Sequence, residues 1–270
     1  MSPDVARSLR ALGLDVAPAV RPLSYPGRPV TAPALLAGAE LLPLRPGPGG
    51  PGQWATDGGG LDAVLAALGG APVAGRRAVL ATGSNASPAQ LAHKLTRAGL
   101  PALVPMVPVR VRGLAVGCSA HIGRHGYVAT APYPDPGASL SLVAGWFDPD
   151  QLAAVDATEF NYRRVGLPDG GPVTLPSGEP LPGGADVYVS RWGVLLDPAD
   201  GLPRPGGGDQ AALLTALLRG SARLRALLGP GPDDWVRRAA ADEAVRAEGT
   251  RLLAAEGWVL PVYDPRPPES

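Results

Sequence analysis

Leu152, Val155, Asp156 and Glu159 recur at three-and-four spacing, so a helix following Phe147 carries all four along one face and places an acid on its buried stripe. The same spacing extends the helix from Pro149 to about Phe160, which puts Glu159 near its C-terminal end, where backbone carbonyls point outward. Desolvation and the helix dipole then both oppose ionisation of the Glu159 carboxyl, the setting that makes an acid a useful general base near neutral pH. The competing reading is structural: Arg163 and Arg164 follow four and five residues on, and either would hold Glu159 in an ion pair. Far upstream, Thr82-Gly83-Ser84-Asn85 lies between the apolar run Ala78–Ala81 and a helix start. There Ser87 caps, Pro88 takes the first helical position and Gln90 completes a Ser-x-x-Gln capping box. Strand, polar turn and helix N-terminus aim backbone N–H groups at one point, where negative or developing negative charge is stabilised.

Other constellations are weaker. Cys118-Ser-Ala-His121-Ile-Gly-Arg-His125 has Cys-x-x-His-x-x-x-His spacing that a zinc ion could use, but Gly123 interrupts a continuous helix and no fourth ligand is evident. The stretch reads better as a hairpin with incidental histidines, and no metal is expected. Ser119 beside His121 suggests a hydrolase, yet it lacks the Gly-x-Ser-x-Gly elbow. Gly58–Gly60 and Gly206–Gly208 match neither a phosphate-binding loop nor a dinucleotide fingerprint and read as linkers.

Composition narrows the function classes. The chain has 270 residues, with 24 basic balanced by 24 acidic, and Lys94 is its only lysine. A neutral protein without a concentrated basic face is not built for nucleic acid. Cys118 is the single cysteine, so no intrachain disulfide forms. Arg110 and Arg112 interrupt the best membrane candidate, Leu100–Ala120, and Arg7 and Arg10 interrupt the apolar N-terminus. The expectation is a cytoplasmic protein without a membrane partner. The 37 glycines and 33 prolines are spread between apolar runs, a bias of composition more than a sign of disorder.

The elements that must position these residues divide the chain into three. Residues 1–75 form an N-terminal arm and linker: a short helix over Pro3–Leu14, a proline-punctuated arm over Ala17–Pro43, the linker Arg45–Gly52 and a helix over Leu61–Leu68. Residues 76–193 alternate strand-like and helix-like pieces, with strands at Val107–Val116, Gly126–Thr130, Ser139–Phe147 and Asp186–Ser190. Gly123–Gly126 supplies a hairpin turn, and Asp148-Pro-Asp-Gln151 a second capping box. Residues 194–270 are helical, a leucine-striped helix from Asp209 to Leu228 and a second from Pro232 to Ala255, with Asp242 and Arg246 paired along it. The stripe either covers the core or forms the surface of a homo-oligomer.

Thr82-Gly83-Ser84-Asn85 before a helix, followed much later by Val155-Asp156-x-x-Glu159-x-x-Tyr162-Arg163-Arg164-Val165, resembles the gamma-glutamylcyclotransferase-like superfamily. Pro134-Asp-Pro-Gly-Ala-Ser, Gly145 and Val187-Tyr188-Val189 extend the resemblance, which spans roughly Arg76 to Arg191. It implies an α+β fold, a mixed β-barrel or sheet with peripheral helices, here with a C-terminal helical hairpin added. It also implies a reaction in which a gamma-glutamyl amine closes on itself to give 5-oxoproline and the free amine, without cofactor or metal. Glu159 is then the general base, and Thr82, Gly83, Ser84, Asn85 and Tyr162 hold the small-molecule substrate. Thr82 stands where the family carries a tyrosine, and Tyr127, Tyr133 and Tyr162 are the residues that would replace the lost ring. The alternative is a non-catalytic small-molecule-binding or interaction protein on the same fold.

Overall fold

Two strands of 20 residues each dominate the structure, a computed structural model in which residues 7–47 and 50–261 are described. In chain order the strands are β1 (Ala34–Ala37), β2 (Glu40–Pro43), β3 (Ala55–Thr56), β4 (Gly59–Gly60), β5 (Arg77–Ala81), β6 (Leu103–Ile122), β7 (Val128–Phe147), β8 (Tyr162–Leu167), β9 (Val173–Thr174), β10 (Ala185–Ser190), β11 (Val194–Leu195) and β12 (Val259–Leu260). The α-helices among the described residues are α1 (Leu61–Ala67), α2 (Pro88–Arg97), α3 (Pro149–Asp156), α4 (Gln210–Gly220), α5 (Ala222–Leu228), α6 (Pro232–Ala241) and α7 (Glu243–Ala255). The fold is mixed α+β.

One ten-stranded sheet follows the path β12-β11-β6-β7-β5-β10-β8, with β1 and β9 joined to β6 and β2 to β1, and it is open, not closed into the barrel that was one form of the expected fold. Among the described residues only β5 and β10 pair in parallel, and the other ladders are antiparallel. β1 pairs with both β2 and the first part of β6, so the proline-punctuated arm contributes a hairpin to the sheet. The strands expected separately at Gly126–Thr130 and Ser139–Phe147 are one, β7, which continues through Pro132, Pro134 and Pro136. Proline lacks the ladder donor but tolerates extended backbone. A register shift between Arg112 and Leu114, with Gly113 at φ +77, accommodates the irregularity on the facing strand. The β6–β7 turn is the expected glycine-bounded one, with Gly126 N donating to Gly123 O at 2.8 Å.

Alternation along β5 assigns the two faces. Ala78 and Leu80 join a cluster with Trp54, Trp146 and Val187, whereas Val79 and Ala81 join Leu91, Leu95, Val155 and Tyr188 beneath α2 and α3. A third cluster packs the C-terminal helices on Cys118, Ala120, Ile122 and Val128, at the far ends of β6 and β7. Arg76 ties these layers together. Its side chain, fully shielded from solvent, donates to the carbonyls of Ala71, Leu103 and Trp146 and to Gln151 Oε1, and pairs with Asp148 at 3.6 Å.

Local signals resolve in both directions. At α3, Asp148 and Gln151 form the expected box, Gln151 N donating to Asp148 Oδ1 at 2.9 Å. At α2, Pro88 opens the helix but Ser87 does not cap it: the Ser87 hydroxyl is buried without a partner among the described residues, and Gln90 Oε1 instead accepts from Ala19 N at 3.0 Å. A tertiary contact has taken the side chain that the box required. The two expected C-terminal helices are four, because Ser221 and Asp242 each turn their side chains onto the next helix as caps. Asp242 therefore caps Ala244 N in place of pairing with Arg246, which donates to Ala239 O. Of the expected helix at Pro3–Leu14, residues up to 6 lie outside the described residues and the rest forms turns. Pro48 and Gly49 of the expected linker also lie outside them. No helix among the described residues is long and apolar enough to cross a membrane.

Candidate functional site

α3 stops at Asp156, so Glu159 lies beyond the helix, in the turn that leads to β8. The expected helix-end carbonyl environment is thus replaced by a clamped turn. Glu159 N donates to Asp156 O at 3.0 Å, Tyr162 N donates to Glu159 O at 2.8 Å, and the Thr158 hydroxyl donates to Val155 O. Asp156 anchors the start of this turn by accepting from the Tyr188 hydroxyl at 2.6 Å and from Arg164 at 3.0 and 3.1 Å. The register of β8 on β10 sets Arg164 opposite Tyr188, and Arg164 also reaches Asp186. That arrangement directs Arg164 away from Glu159.

The cation that Glu159 meets is Lys94, on α2, whose Nζ donates to Oε1 at 2.7 Å. Asn85 completes a triangle: its Nδ2 donates to the same Oε1 at 3.0 Å, and its Oδ1 accepts from Lys94 Nζ at 2.8 Å. Each contact falls on Oε1, and Oε2 accepts no hydrogen bond among the described residues, so its lone pairs are uncommitted. Charge-assisted bonds of this length hold a carboxylate in one orientation.

The turn itself is held from below. Thr130, on β7, donates its hydroxyl to Thr82 O at 2.8 Å, its N–H goes to the Tyr25 hydroxyl at 2.8 Å, and its carbonyl accepts from the Tyr162 hydroxyl at 2.9 Å. The Tyr25 hydroxyl returns to Thr130 Oγ1 at 2.9 Å, and the Tyr25 ring stacks on Tyr127 with centroids 4.4 Å apart. Gly83 packs directly on this junction. A Cβ there would lie 2.2 Å from the Tyr25 hydroxyl and 2.4 Å from Thr130 Oγ1, so close approach, not a left-handed φ, demands glycine. Ser84 and Asn85 open a short 3-10 turn, and the first N–H groups of such a turn have no partner within it.

All six residues singled out from the sequence, Thr82, Gly83, Ser84, Asn85, Glu159 and Tyr162, line one cavity of about 310 Å³. Tyr25, Lys94, Tyr127, Thr130 and Tyr188 line it with them. Of the three tyrosines considered for the ring missing at Thr82, Tyr127 and Tyr162 reach the cavity and Tyr133 does not. Tyr25, in the N-terminal segment, was not among them, nor were Lys94 and Thr130 recognised. The lone lysine was a visible signal, but nothing in the sequence joined it to Glu159. Burial raises the pKa of Tyr25 to about 12 and that of Tyr162 well above its ordinary value, so both hydroxyls remain donors at neutral pH.

The competing constellations come apart. Cys118 faces the C-terminal helices and a second cavity, whereas His121 borders the first, so the Cys-x-x-His spacing does not converge on one ion. Ser119 is fully buried and its hydroxyl hydrogen-bonds both His121 Nδ1 and Ser190 Oγ, each at 2.7 Å, which withholds it from any substrate. Burial lowers the His121 pKa to about 4 and raises that of Cys118 to about 11, leaving both neutral.

No family model and no curated protein matches the sequence. Among solved structures, the chain is similar to a gamma-glutamyl cyclotransferase at 10% identity and a TM-score of 0.36, over 71% of this chain and 92% of that one. It is also similar to an uncharacterized protein from Homo sapiens at 11% identity and a TM-score of 0.35, over 72% of this chain and 93% of the other.

Proposed function

We propose that the chain is a gamma-glutamylcyclotransferase-like enzyme that releases 5-oxoproline from a gamma-glutamyl amine, with Glu159 as the general acid and base. The observation that carries this reading is the position of the Glu159 carboxylate, bonded to Asn85 of the Thr82–Asn85 turn across a cavity that both line. The reaction needs no protein nucleophile, because the substrate supplies its own.

In the first step Glu159 Oε2 takes a proton from the substrate's α-ammonium, and the freed amine attacks the γ-carbonyl carbon. The new C–N bond closes a five-membered ring, and the carbonyl oxygen carries the displaced electron pair as an oxyanion. The Ser84 and Asn85 N–H groups, without partners inside the 3-10 turn, are the donors assigned to that charge, and a fixed donor there is worth about 3 kcal/mol in a barrier. In the second step Glu159 returns its proton to the departing amine nitrogen as the oxyanion collapses and the amide C–N bond breaks. The freed carboxylate then takes the second proton from the ring nitrogen, which leaves a neutral lactam nitrogen in 5-oxoproline, and passes it to the released amine, which departs as its ammonium. Binding the substrate folded, with amine near carbonyl, contributes the rest, since ring closure of a positioned pair avoids an entropic cost. Lys94 and Asn85 hold Oε1 throughout, so only Oε2 exchanges protons.

The test is direct. Purified protein incubated with a gamma-glutamyl amine is expected to release 5-oxoproline, and Glu159→Gln is expected to reduce the rate by roughly a thousandfold or more while the protein stays folded. Equal rates for the two proteins would remove Glu159 from the mechanism. No product from either would favour a non-catalytic binding protein.

A further inference from the structure

The far end of β6 alternates between two faces of the sheet. Cys118, Ala120 and Ile122 pack under the C-terminal helices, so Ser119 and His121 share the opposite face, where His121 borders the first cavity. The His121 ring is 3% exposed and meets the Tyr162 ring edge-on, with centroids 5.6 Å apart. Tyr162 in turn bonds Thr130, and Thr130 holds Thr82, so the imidazole stands beside the network that carries the turn. The cyclisation as proposed uses neither His121 nor Ser119.

Counting hydrogens fixes which ring nitrogen carries the proton. Ser190 Oγ is buried and accepts from Trp192 N at 3.1 Å, and its own hydrogen has Ser119 Oγ, 2.7 Å away, as its one acceptor among the described residues. Ser119 therefore spends its hydrogen on His121 Nδ1, also at 2.7 Å. Nδ1 is then the acceptor, and the imidazole hydrogen sits on Nε2. Nε2 bonds no protein atom among the described residues, yet it is not sealed in as the unbonded Ser87 Oγ and Trp54 Nε1 are. Its opening is the cavity. Burial lowers the His121 pKa to about 4, so the ring is neutral at pH 7 and does not repel a substrate ammonium.

We infer that His121 is a further catalytic residue: its Nε2–H donates to the substrate's γ-carbonyl oxygen as that oxygen becomes the oxyanion, and Ser119 and Ser190 are positioning residues that keep the hydrogen on Nε2. The role transfers no proton. The C–N bonds form and break as in the proposed cyclisation, and His121 keeps its hydrogen throughout. A carboxylate already formed is better met by a cation, and cations line the same cavity. A neutral donor suits an oxygen that starts neutral, because its bond strengthens as charge develops on the way to the transition state. The inference rests on the proposed cyclisation for which carbonyl is reached, but not for the tautomer or for the open donor.

The experiment reads the tautomer first. The chain has 3 histidines, so nitrogen NMR of imidazole-labelled wild-type protein resolves each ring, with His121 assigned as the signal that survives in both His93→Gln and His125→Gln. At pH 7 the His121 ring is expected to carry its one hydrogen on Nε2. Glutaramate, which keeps the carbonyl but lacks the attacking amine, is expected to move that hydrogen's resonance downfield. A hydrogen on Nδ1, or a resonance that glutaramate leaves unmoved, would overturn the inference. Kinetics supply the second reading. His121→Phe, with its fold verified by thermal unfolding, is expected to lower kcat for 5-oxoproline release by roughly a hundredfold with KM within about twofold, and His121→Gln, whose amide N–H reaches toward the same place, to recover part of the loss. A raised KM with unchanged kcat would make His121 a ground-state contact and overturn the catalytic role. A wild type that releases no 5-oxoproline would sink the cyclisation, and the tautomer and the glutaramate response would then decide the donor by themselves.

Discussion

At the scale of single residues, the site depends on contacts that tolerate no added atom. Gly83 lies so close to Tyr25 and Thr130 that Gly83→Ala must push the turn off its support, and the overpacking is expected to cost about 1–3 kcal/mol. Because the displaced turn carries Asn85, the loss of 5-oxoproline release is expected to exceed what the stability change explains, a comparison of rate and unfolding midpoint that checks the role of the junction. His121 makes a prediction of another kind. Its pKa falls from 6.5 to about 4 on burial, so the unfolded chain binds the proton more readily than the folded one. That contribution to stability is complete above pH 6.5 and is lost as pH falls through about 4. Urea midpoints at pH 7 and pH 4.5 should therefore separate for the wild type, by an amount of about 3 kcal/mol at most, and should separate less for His121→Gln. An unchanged separation would remove His121 as the cause.

At the scale of elements, the distance between Glu159 and the turn is set by struts that the chemistry does not touch. Arg76 joins the approach to β5 with the starts of β6 and α3 and the end of β7, so Arg76→Met removes four hydrogen bonds and the Asp148 ion pair from a dry place. The expected cost is about 3 kcal/mol, seen as a fall in the thermal midpoint of roughly 5–10 °C; a midpoint unchanged within error would mean that the strut is dispensable. The legible signals were local: the Asp148–Gln151 box, the glycine-bounded β6–β7 turn, and the order of turn, acid and tyrosine that places Ser84, Glu159 and Tyr162 in one cavity. The illegible ones were tertiary. Gln90 left its own helix for Ala19, Ser221 and Asp242 became caps in the middle of apparently continuous stripes, and α3 ended early once Asp156 found Arg164 and Tyr188. A side chain with two available partners shows only one of them to a reader of spacing.

At the scale of the whole molecule, the N-terminal segment is a working part of the central site. Tyr25 supports Thr130 and Gly83, Ala19 holds Gln90, and β1 extends the sheet along β6, so residues far from the family-like motifs complete the cavity. No local pattern joins Tyr25 to Thr130, 105 residues away, so Tyr25 is a cavity residue that spacing does not reveal beside Tyr127 and Tyr162. The C-terminal helices cap the far ends of β6 and β7, and α4 lines the second cavity. The central claim is that the Glu159 carboxylate moves the proton when a gamma-glutamyl amine closes on itself. A single-turnover measurement of 5-oxoproline from gamma-glutamyl-leucine, with wild type and Glu159→Gln side by side at pH 7, tests it most directly. The account predicts product from the wild type and a rate lower by about a thousandfold from a folded variant; product at equal rates from both would contradict it.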